Sequence, residues 1–206
     1  VWDSQLDKSH QRIEKVSSKG IFEASQLTHT PMDYVYIDED TKPEDLSKYP
    51  VLFYPHAVIM TEKRAALLKS YVEQGGTLIL GCRTGYKDTT GKCVMLKLPG
   101  LLRDLSGADV VDYTFVGPED DPVYIDWDGI KLEAAVFNDI LEPFGDSRVL
   151  GTYINNYYSG KAGLIGKKAG NGYIYYFGGT FTESTARAFL RKTGVLSPYH
   201  NIIKIP

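Results

Sequence analysis

The segment "GCRTG", residues 81 to 85, places a cysteine between glycines directly after a short apolar run. A cysteine acts as a nucleophile when a strained turn between a strand and a helix exposes it and a histidine accepts its proton. Such a turn has the pattern Gly-x-nucleophile-x-Gly, and Cys82 lies one place too early in it. The following residues, "YKDTTGK", are typical of a polar loop and not of a helix. The sequence therefore favours a structural thiol, with a hydrolase that uses Cys82 and His56 as the alternative.

Other polar side chains show no spacing that predicts a metal or cofactor site. The four histidines are scattered, and the two cysteines are too few for a structural zinc site without them. The segment "GKKAGNG" at 166–172 lacks the Gly-Lys-Ser/Thr ending of a phosphate-binding loop, so we expect a turn there. The acidic segment "PEDDP" is framed by prolines and is expected to be a solvated loop. We therefore predict no metal and no cofactor.

A stretch rich in tyrosine offers a second kind of chemistry, because aromatic rings can stack on sugars. Its members are Tyr153, Tyr157, Tyr158, Tyr173, Tyr175, Tyr176 and Phe177. The preference of tyrosine for strands explains most of them without a function, although their density also suits an interface between subunits. A sugar-binding module that uses this cluster is a further alternative.

Composition limits the classes of function. The chain has 206 residues, of which 43% are hydrophobic, and can therefore bury a full core. A formal net charge of -3, with Lys and Arg scattered among acids, does not favour nucleic acid as a partner. No apolar run approaches the roughly 20 residues that span a bilayer, so no membrane segment is predicted. The two cysteines favour a reducing, cytoplasmic location. The two ends of the sequence predict that the chain is a domain taken from a longer protein.

The elements that position these residues alternate between strand and helix in the first part of the chain. "YVYID" (34–38), "VLFY" (51–54) and "TLIL" (77–80) are short apolar runs typical of buried parallel strands. One helix is predicted from about Ser9 to Thr28, and a second from the N-cap Thr61 to the following glycine pair. Strand, helix and strand in this order predict a parallel βαβ unit.

The second part of the chain is expected to be antiparallel. Asp128-Gly129 lies between two alternating runs, and Gly170-Asn171-Gly172 lies between two others, which is the composition of tight hairpin turns. A last helix is predicted from about Thr182 to Thr193. The predicted fold class is α/β: a three-layer α/β/α domain with a mostly parallel, flavodoxin-like sheet and an antiparallel hairpin extension.

The candidate site residues are expected to lie at one edge of this sheet. Functional groups in an open α/β sheet gather beyond the carboxyl ends of its strands, where loops and helix N-termini converge. On the predicted strand directions, this edge holds Trp2, Asp3, His56, Arg83 and Glu183. These residues are therefore expected to lie close together.

Four segments form an ordered series of motifs: "HTPMDYVYID", "DLSKYPVLFYPHAVIMTEKRAALLKSYVEQGGTLILGCRTG", "LPGLLRDLSGADV" and "NNYYSGKAGLIGKKAGNGYIYYFGG". Together they resemble the middle domain of family 42 glycoside hydrolases, the β-galactosidases. The resemblance covers residues 1–195 and implies a class I glutamine amidotransferase-like domain that lacks the nucleophile and forms trimers. Residues 196–206 would be a linker or the start of a C-terminal β domain.

The resemblance also implies where the chemistry takes place. The catalytic glutamates of the family belong to a preceding (β/α)₈ barrel, for which this chain is too short. The chain is therefore predicted to be a non-catalytic oligomerisation domain, with galactoside bound by the neighbouring barrel. If the edge borders that barrel, Trp2 and Arg83 can meet a sugar by stacking and hydrogen bonding. The alternative for Arg83 is a pairing with a nearby carboxylate.

One departure from the family concerns the sheet. The family has a strand just before the position of Trp2, and this strand is missing here. The resemblance therefore implies a central sheet with an exposed edge, which either stays open or is filled by something else, such as a symmetry mate.

Overall fold

The structure is a computed structural model that describes residues 11–200 and 202. Its helices are α1 (Gln11–Leu27), α2 (Pro43–Leu46), α3 (Glu62–Glu73), α4 (Arg103–Ser106) and α5 (Glu183–Lys192). The predicted N-cap Thr61 is confirmed, because its side chain accepts a main-chain hydrogen bond from the first turn of α3, and Thr182 caps α5 in the same way. Helix α1 confirms the prediction for about Ser9 to Thr28 over the residues described.

Ten strands form one mixed sheet of an α/β protein. Their bounds are β1 Val51–Tyr54, β2 Thr77–Leu80, β3 Ala108–Phe115, β4 Tyr124–Trp127, β5 Ile130–Ala135, β6 Phe137–Pro143, β7 Arg148–Tyr153, β8 Ala162–Ala169, β9 Gly172–Phe177 and β10 Thr180–Phe181. The strand order is β1-β2-β9-β8-β7-β4-β5-β10, and β6 pairs with both β3 and β8.

Most of this sheet is antiparallel, so the prediction of a mostly parallel sheet was wrong. Among the described strands, β1 with β2 and β2 with β9 are the parallel pairs. Parallel neighbours need a long crossover connection, and from β3 onward consecutive strands are joined by short turns instead. One of these is the predicted hairpin turn, in which Asp128 and Gly129 have φ values of 52° and 81°.

The segment at 34–38 was predicted as a buried strand and forms no strand. Tyr34 and Tyr36 are 73% and 76% exposed, whereas Val35 and Ile37 are half-buried against the core. Alternate side chains thus face outward and inward as in a strand. No strand in the described part of the chain pairs with this segment, and a sheet requires such a neighbour for its main-chain hydrogen bonds.

Helices pack on both faces of the parallel part of the sheet. On one face, α1 and α5 contribute Ile21 and Phe189 to a core that includes Ile79. On the other face, α3 contributes Leu68 to a core that includes Leu78. Because successive side chains of a strand point to opposite faces, β2 supplies both cores. The two cores therefore fix the position of the parallel strands, whose carboxyl ends carry the candidate residues. None of the helices described is long and apolar enough to cross a membrane.

Candidate functional site

The loops that follow β1, β2 and β9 meet at one edge of the sheet. The N–H of Gly85 donates to the carbonyl oxygen of Ala57 at 2.8 Å, and the N–H of Cys82 donates to that of Gly179 at 3.3 Å. A side chain at Gly81 would overlap the carbonyl oxygen of Pro55, so glycine permits this close approach. The structure thus brings together the loops that carry His56 and Arg83.

Arg83 lies in the turn after β2 and has an unusual main-chain conformation. Its φ of 61° is in the left-handed region, which residues other than glycine seldom adopt. The hydroxyl of Thr84 donates to the carbonyl oxygen of Gly81 at 2.7 Å and closes the turn. In the pattern Gly-x-nucleophile-x-Gly, Arg83 stands at the nucleophile position. An arginine side chain stays protonated, and residues 84–92 form no helix, so the turn has neither the nucleophile nor the following helix of a nucleophile elbow.

The guanidinium of Arg83 is directed into the protein. Its central carbon lies 4.9 Å from the ring centre of Tyr86 and 5.2 Å from that of Phe137, which are cation–π distances. The residue is only 7% exposed. In this chain, Arg83 therefore positions the turn through its packing on two aromatic rings.

Asp139 of β6 is the buried acidic group of this edge. Its carboxylate accepts hydrogen bonds from the hydroxyls of Tyr86 and Tyr176, both at 2.7 Å, and from the main-chain N–H of Arg83 at 2.8 Å. Burial raises the pKa of the carboxyl to about 6, against the opposing effect of these three hydrogen bonds. The hydrogen bond from Arg83 to this carboxylate comes from its main chain, so the pairing of the Arg83 side chain with a carboxylate stays a prediction.

Cys82 is fully buried beside this carboxyl group. Burial raises the pKa of the thiol well above its ordinary value, and the charge of Asp139 raises it further. Because the thiolate is the reactive form, Cys82 is protonated and inert near neutral pH. The prediction of a structural thiol agrees with this geometry, and the hydrolase alternative finds no activated nucleophile in Cys82.

The other candidate residues occupy different environments. His56 is 5% exposed, in the loop after β1. Glu183 begins α5 and forms an ion pair with Arg187 at 3.1 Å. Trp2 and Asp3 lie outside the described residues. The role of these residues as a substrate rim stays a prediction.

The tyrosine-rich stretch does not form one exposed platform. Tyr153, Tyr158, Tyr176 and Phe177 are buried, whereas Tyr157 is exposed. The hydroxyl of Tyr153 donates to the main-chain oxygen of Asp139 at 2.8 Å, and that of Tyr176 to its carboxylate. Most of these rings are therefore core residues, which does not favour the sugar-binding alternative.

Sequence analysis did not single out Asp139 or its partners Tyr86 and Tyr176. Asp139 lies in "FNDIL", and the only signal for its burial is a single acid within an apolar strand. The tyrosines that satisfy it are 53 and 37 residues away in the sequence, so no local pattern identifies them. Within residues 11–200, we find no group of three or more His, Cys, Asp or Glu side chains that could hold a metal ion.

Comparisons with known proteins agree on one family. A family model described as the β-galactosidase trimerisation domain matches residues 28–195. A β-galactosidase of Clostridium cellulovorans is 33% identical over 140 residues, which cover 68% of this chain and 21% of that protein. A polyextremophilic β-galactosidase from the Antarctic haloarchaeon Halorubrum lacusprofundi superposes with a TM-score of 0.74 at 20% identity, over 89% of this chain and 26% of the other.

A second solved structure, a catalytic mutant of a GH42 β-galactosidase from G. stearothermophilus, superposes with a TM-score of 0.73 at 22% identity, over 84% of this chain and 24% of the other. At these identities, the structural likeness shows the fold alone. The chain spans about a fifth of the length of the curated relatives it matches.

Proposed function

Because the chain belongs to the family of β-galactosidase trimerisation domains, we propose that it holds together three copies of a longer glycoside hydrolase and catalyses no reaction itself. The observation that carries this proposal is the family match over residues 28–195, which includes the whole parallel part of the sheet. The chemistry of the edge supports it, because an arginine stands at the nucleophile position and the neighbouring thiol is buried. Purified chain is expected to show no turnover of nitrophenyl β-galactoside, and turnover that survives rigorous purification contradicts the proposal.

Strand β3 is the surface we assign to contacts between copies. Val111, Tyr113 and Phe115 are large apolar side chains that it exposes. Among the described strands, β3 pairs with β6 alone, and its other edge is open beyond Val110, whose N–H donates to the carbonyl oxygen of Leu98. Open edges that carry apolar side chains favour association with another chain.

Sedimentation of the full-length enzyme tests this assignment. The wild-type enzyme is expected to be a trimer, and Phe115→Asp is expected to dissociate it, because a charge buried in an interface is costly. Phe22→Asp, on α1, is the matched control, since Phe22 is also an exposed phenylalanine. A monomeric wild-type enzyme refutes trimer formation, whereas a trimer that is unaffected by Phe115→Asp refutes only the assignment to β3.

We further propose that Trp2, Asp3, His56, Arg83 and Glu183 form a substrate rim at the border of a galactoside pocket in a neighbouring barrel, in which the buried His56 and Arg83 act by holding the loops in position. The convergence of the loops after β1, β2 and β9 supports this proposal. In the full-length enzyme, Arg83→Ala is expected to weaken galactoside binding or trimer formation, while Cys82→Ser leaves both intact. A folded Cys82→Ser enzyme without activity favours the hydrolase alternative instead.

Finer features of the domain belong to the same proposal. A flavodoxin-like, class I glutamine amidotransferase-like arrangement is proposed for the parallel strands β1, β2 and β9, with support from the helices on both of their faces. A domain boundary at residue 195 is supported by the end of the family match. The cytoplasmic location is proposed from the free thiols of Cys82 and Cys93.

A further inference from the structure

The loop of residues 87–98 carries an apolar tip. Met95 is 99% exposed, and the adjacent Leu96 is 52% exposed. Single apolar side chains on a surface are common, but here two adjacent large ones project together into water. Contact with another protein surface would remove both of them from water, so the tip is suited to a contact of this kind.

Hydrogen bonds hold this loop in one conformation. The carboxylate of Asp88 accepts hydrogen bonds from the main-chain N–H groups of Thr90 at 2.8 Å and Lys92 at 3.0 Å. The N–H of Val94 donates to the carbonyl oxygen of Tyr86 at 3.0 Å. A tip that is already ordered loses little conformational entropy when it binds, so its side chains can anchor a contact.

The tip lies close to the beginning of β3, the strand that we assign to contacts between copies. The N–H of Val110 donates to the carbonyl oxygen of Leu98 at 3.0 Å, which joins the loop to β3. Met95 is three residues from Leu98, so their Cα atoms are at most about 11 Å apart. The tip therefore extends the apolar surface that begins with the exposed Val111.

A second copy of this chain is the occupant that suits the tip. Lys97, beside the tip, forms an ion pair with Asp109, which neutralises the charge that an apolar partner would meet there. The exposed apolar side chains of β3 offer such a partner surface on every copy. A contact between the tip of one copy and β3 of the next uses two different surfaces, and contacts of this kind can close into rings such as trimers.

Methionine differs from other apolar anchors because its sulfur can be oxidised reversibly. A peroxide transfers one oxygen atom to the sulfur, the O–O bond breaks, and the peroxide is reduced to water or an alcohol while the sulfur becomes a sulfoxide. The sulfoxide is polar and disrupts apolar contacts, and methionine sulfoxide reductases reverse the reaction. Of the three methionines in the chain, Met60 is 5% exposed and Met32 is half-buried, so Met95 is the most accessible to a peroxide.

We propose that Met95 anchors the contact between copies and that its oxidation by a peroxide releases this contact. This inference rests on the proposed function, since it requires copies that associate. The sulfur is oxidised while a subunit is free, because the contact covers the side chain of Met95 in the assembled enzyme. The sulfoxide then prevents reassociation until a reductase removes the oxygen.

Peroxide treatment of the dilute chain of 206 residues measures the reactivity of Met95. Hydrogen peroxide is applied at neutral pH, and dithiothreitol then reverses any oxidation of the exposed Cys93 to sulfenic acid or disulfide. Mass spectrometry of peptides measures the sulfoxide that remains at each methionine. We expect Met95 to be oxidised at least tenfold faster than the buried Met60, which is the internal control. Equal rates at the two residues overturn the proposal.

Sedimentation of the full-length enzyme tests the release of the contact. Peroxide is expected to convert wild-type trimer to smaller species in proportion to the sulfoxide at Met95, and a methionine sulfoxide reductase is expected to restore the trimer. Met95→Leu keeps an apolar side chain without sulfur and should remain a trimer under the same treatment. All other methionines are the same in both proteins, so their oxidation cannot explain a difference. Met95 that stays unoxidised in dilute full-length enzyme overturns the proposal.

Met95→Gln tests the same contact without an oxidant. Glutamine is similar in length to methionine and polar like the sulfoxide, and a buried amide without a partner costs more than an apolar exchange of similar volume. We therefore expect Met95→Gln to raise the dissociation constant of the trimer at least tenfold more than Met95→Leu does. A trimer that is unaffected by Met95→Gln, or that persists with Met95 oxidised, overturns this proposal alone. A monomeric untreated enzyme refutes the proposed function as well.

Discussion

Asp139→Asn tests whether the buried carboxyl group controls the pH dependence of folding. Asparagine has nearly the same shape as a protonated aspartic acid and carries no charge at any pH. In the native chain, the carboxylate is fully buried and accepts hydrogen bonds from Tyr86, Tyr176 and the N–H of Arg83. The substitution therefore removes the ionisation while keeping most of the packing.

The magnitude follows from the pKa of Asp139, which is about 6 in the folded chain against an ordinary value of 3.8. A carboxyl whose pKa is raised by folding contributes stability that is fully present below its unfolded pKa and is lost as the pH rises through its folded pKa. At about 1.36 kcal/mol per pKa unit, the complete loss is roughly 3 kcal/mol. Roughly half of this loss falls between pH 5 and pH 8, since the rest has already occurred at pH 5.

Urea unfolding at pH 5 and pH 8, followed by the fluorescence of the buried Trp127, measures this loss. Wild type is expected to lose roughly 1–2 kcal/mol more than Asp139→Asn over this interval. Asp38, Asp88 and Asp109 have lowered pKa values, so their effects fall below pH 3.8 and outside the interval. If both proteins lose the same free energy of unfolding, the carboxyl of Asp139 is not the group responsible.

Three further experiments address the thiols, a helix cap and the meeting of the loops. Iodoacetamide at neutral pH is expected to modify the exposed Cys93 and to spare the buried Cys82, and mass spectrometry showing equal rates would contradict the burial. Thr61→Ala should lower the free energy of unfolding by about 1 kcal/mol and Tm by about 2–4 °C, whereas Thr61→Ser should change little. Gly81→Ala should cost roughly 3 kcal/mol in a urea titration, because its methyl group overlaps the carbonyl of Pro55, and an unchanged midpoint would disprove that contact.

Local signals were sufficient to predict many of the elements. The cap Thr61, the start of the last helix near Thr182 and the turn at Asp128-Gly129 are encoded within a few residues, and each appears where it was predicted. The direction of a strand relative to its neighbour has no such local signal, because it depends on which distant segment of the chain lies beside that strand. The sequence analysis predicted that most of the sheet is parallel, as β1 and β2 are. In the structure, antiparallel strand pairs outnumber parallel pairs.

The candidate site was predictable only in part, for the same reason. The loops of His56 and Arg83 follow neighbouring parallel strands, and their convergence follows from that order. Asp139 enters the site from β6, which pairs with β3 and β8, and its tyrosine partners come from two other parts of the chain. The burial of Arg83 also depends on Phe137, a tertiary contact that has no local signal.

The pairing of β2 with β9 also determines when the domain can fold during synthesis. Leu78 is the partner of Ile174, so 96 residues (174 − 78) separate the two halves of this contact. At about 5–20 residues per second, a ribosome needs roughly 5–20 s to make the intervening chain. Throughout that time, the apolar run "TLIL" has an open edge on the side that β9 later covers. Neighbouring nascent chains on one messenger RNA carry the same open edge, and unpaired apolar strands of this kind are prone to aggregation until their partner strand is made.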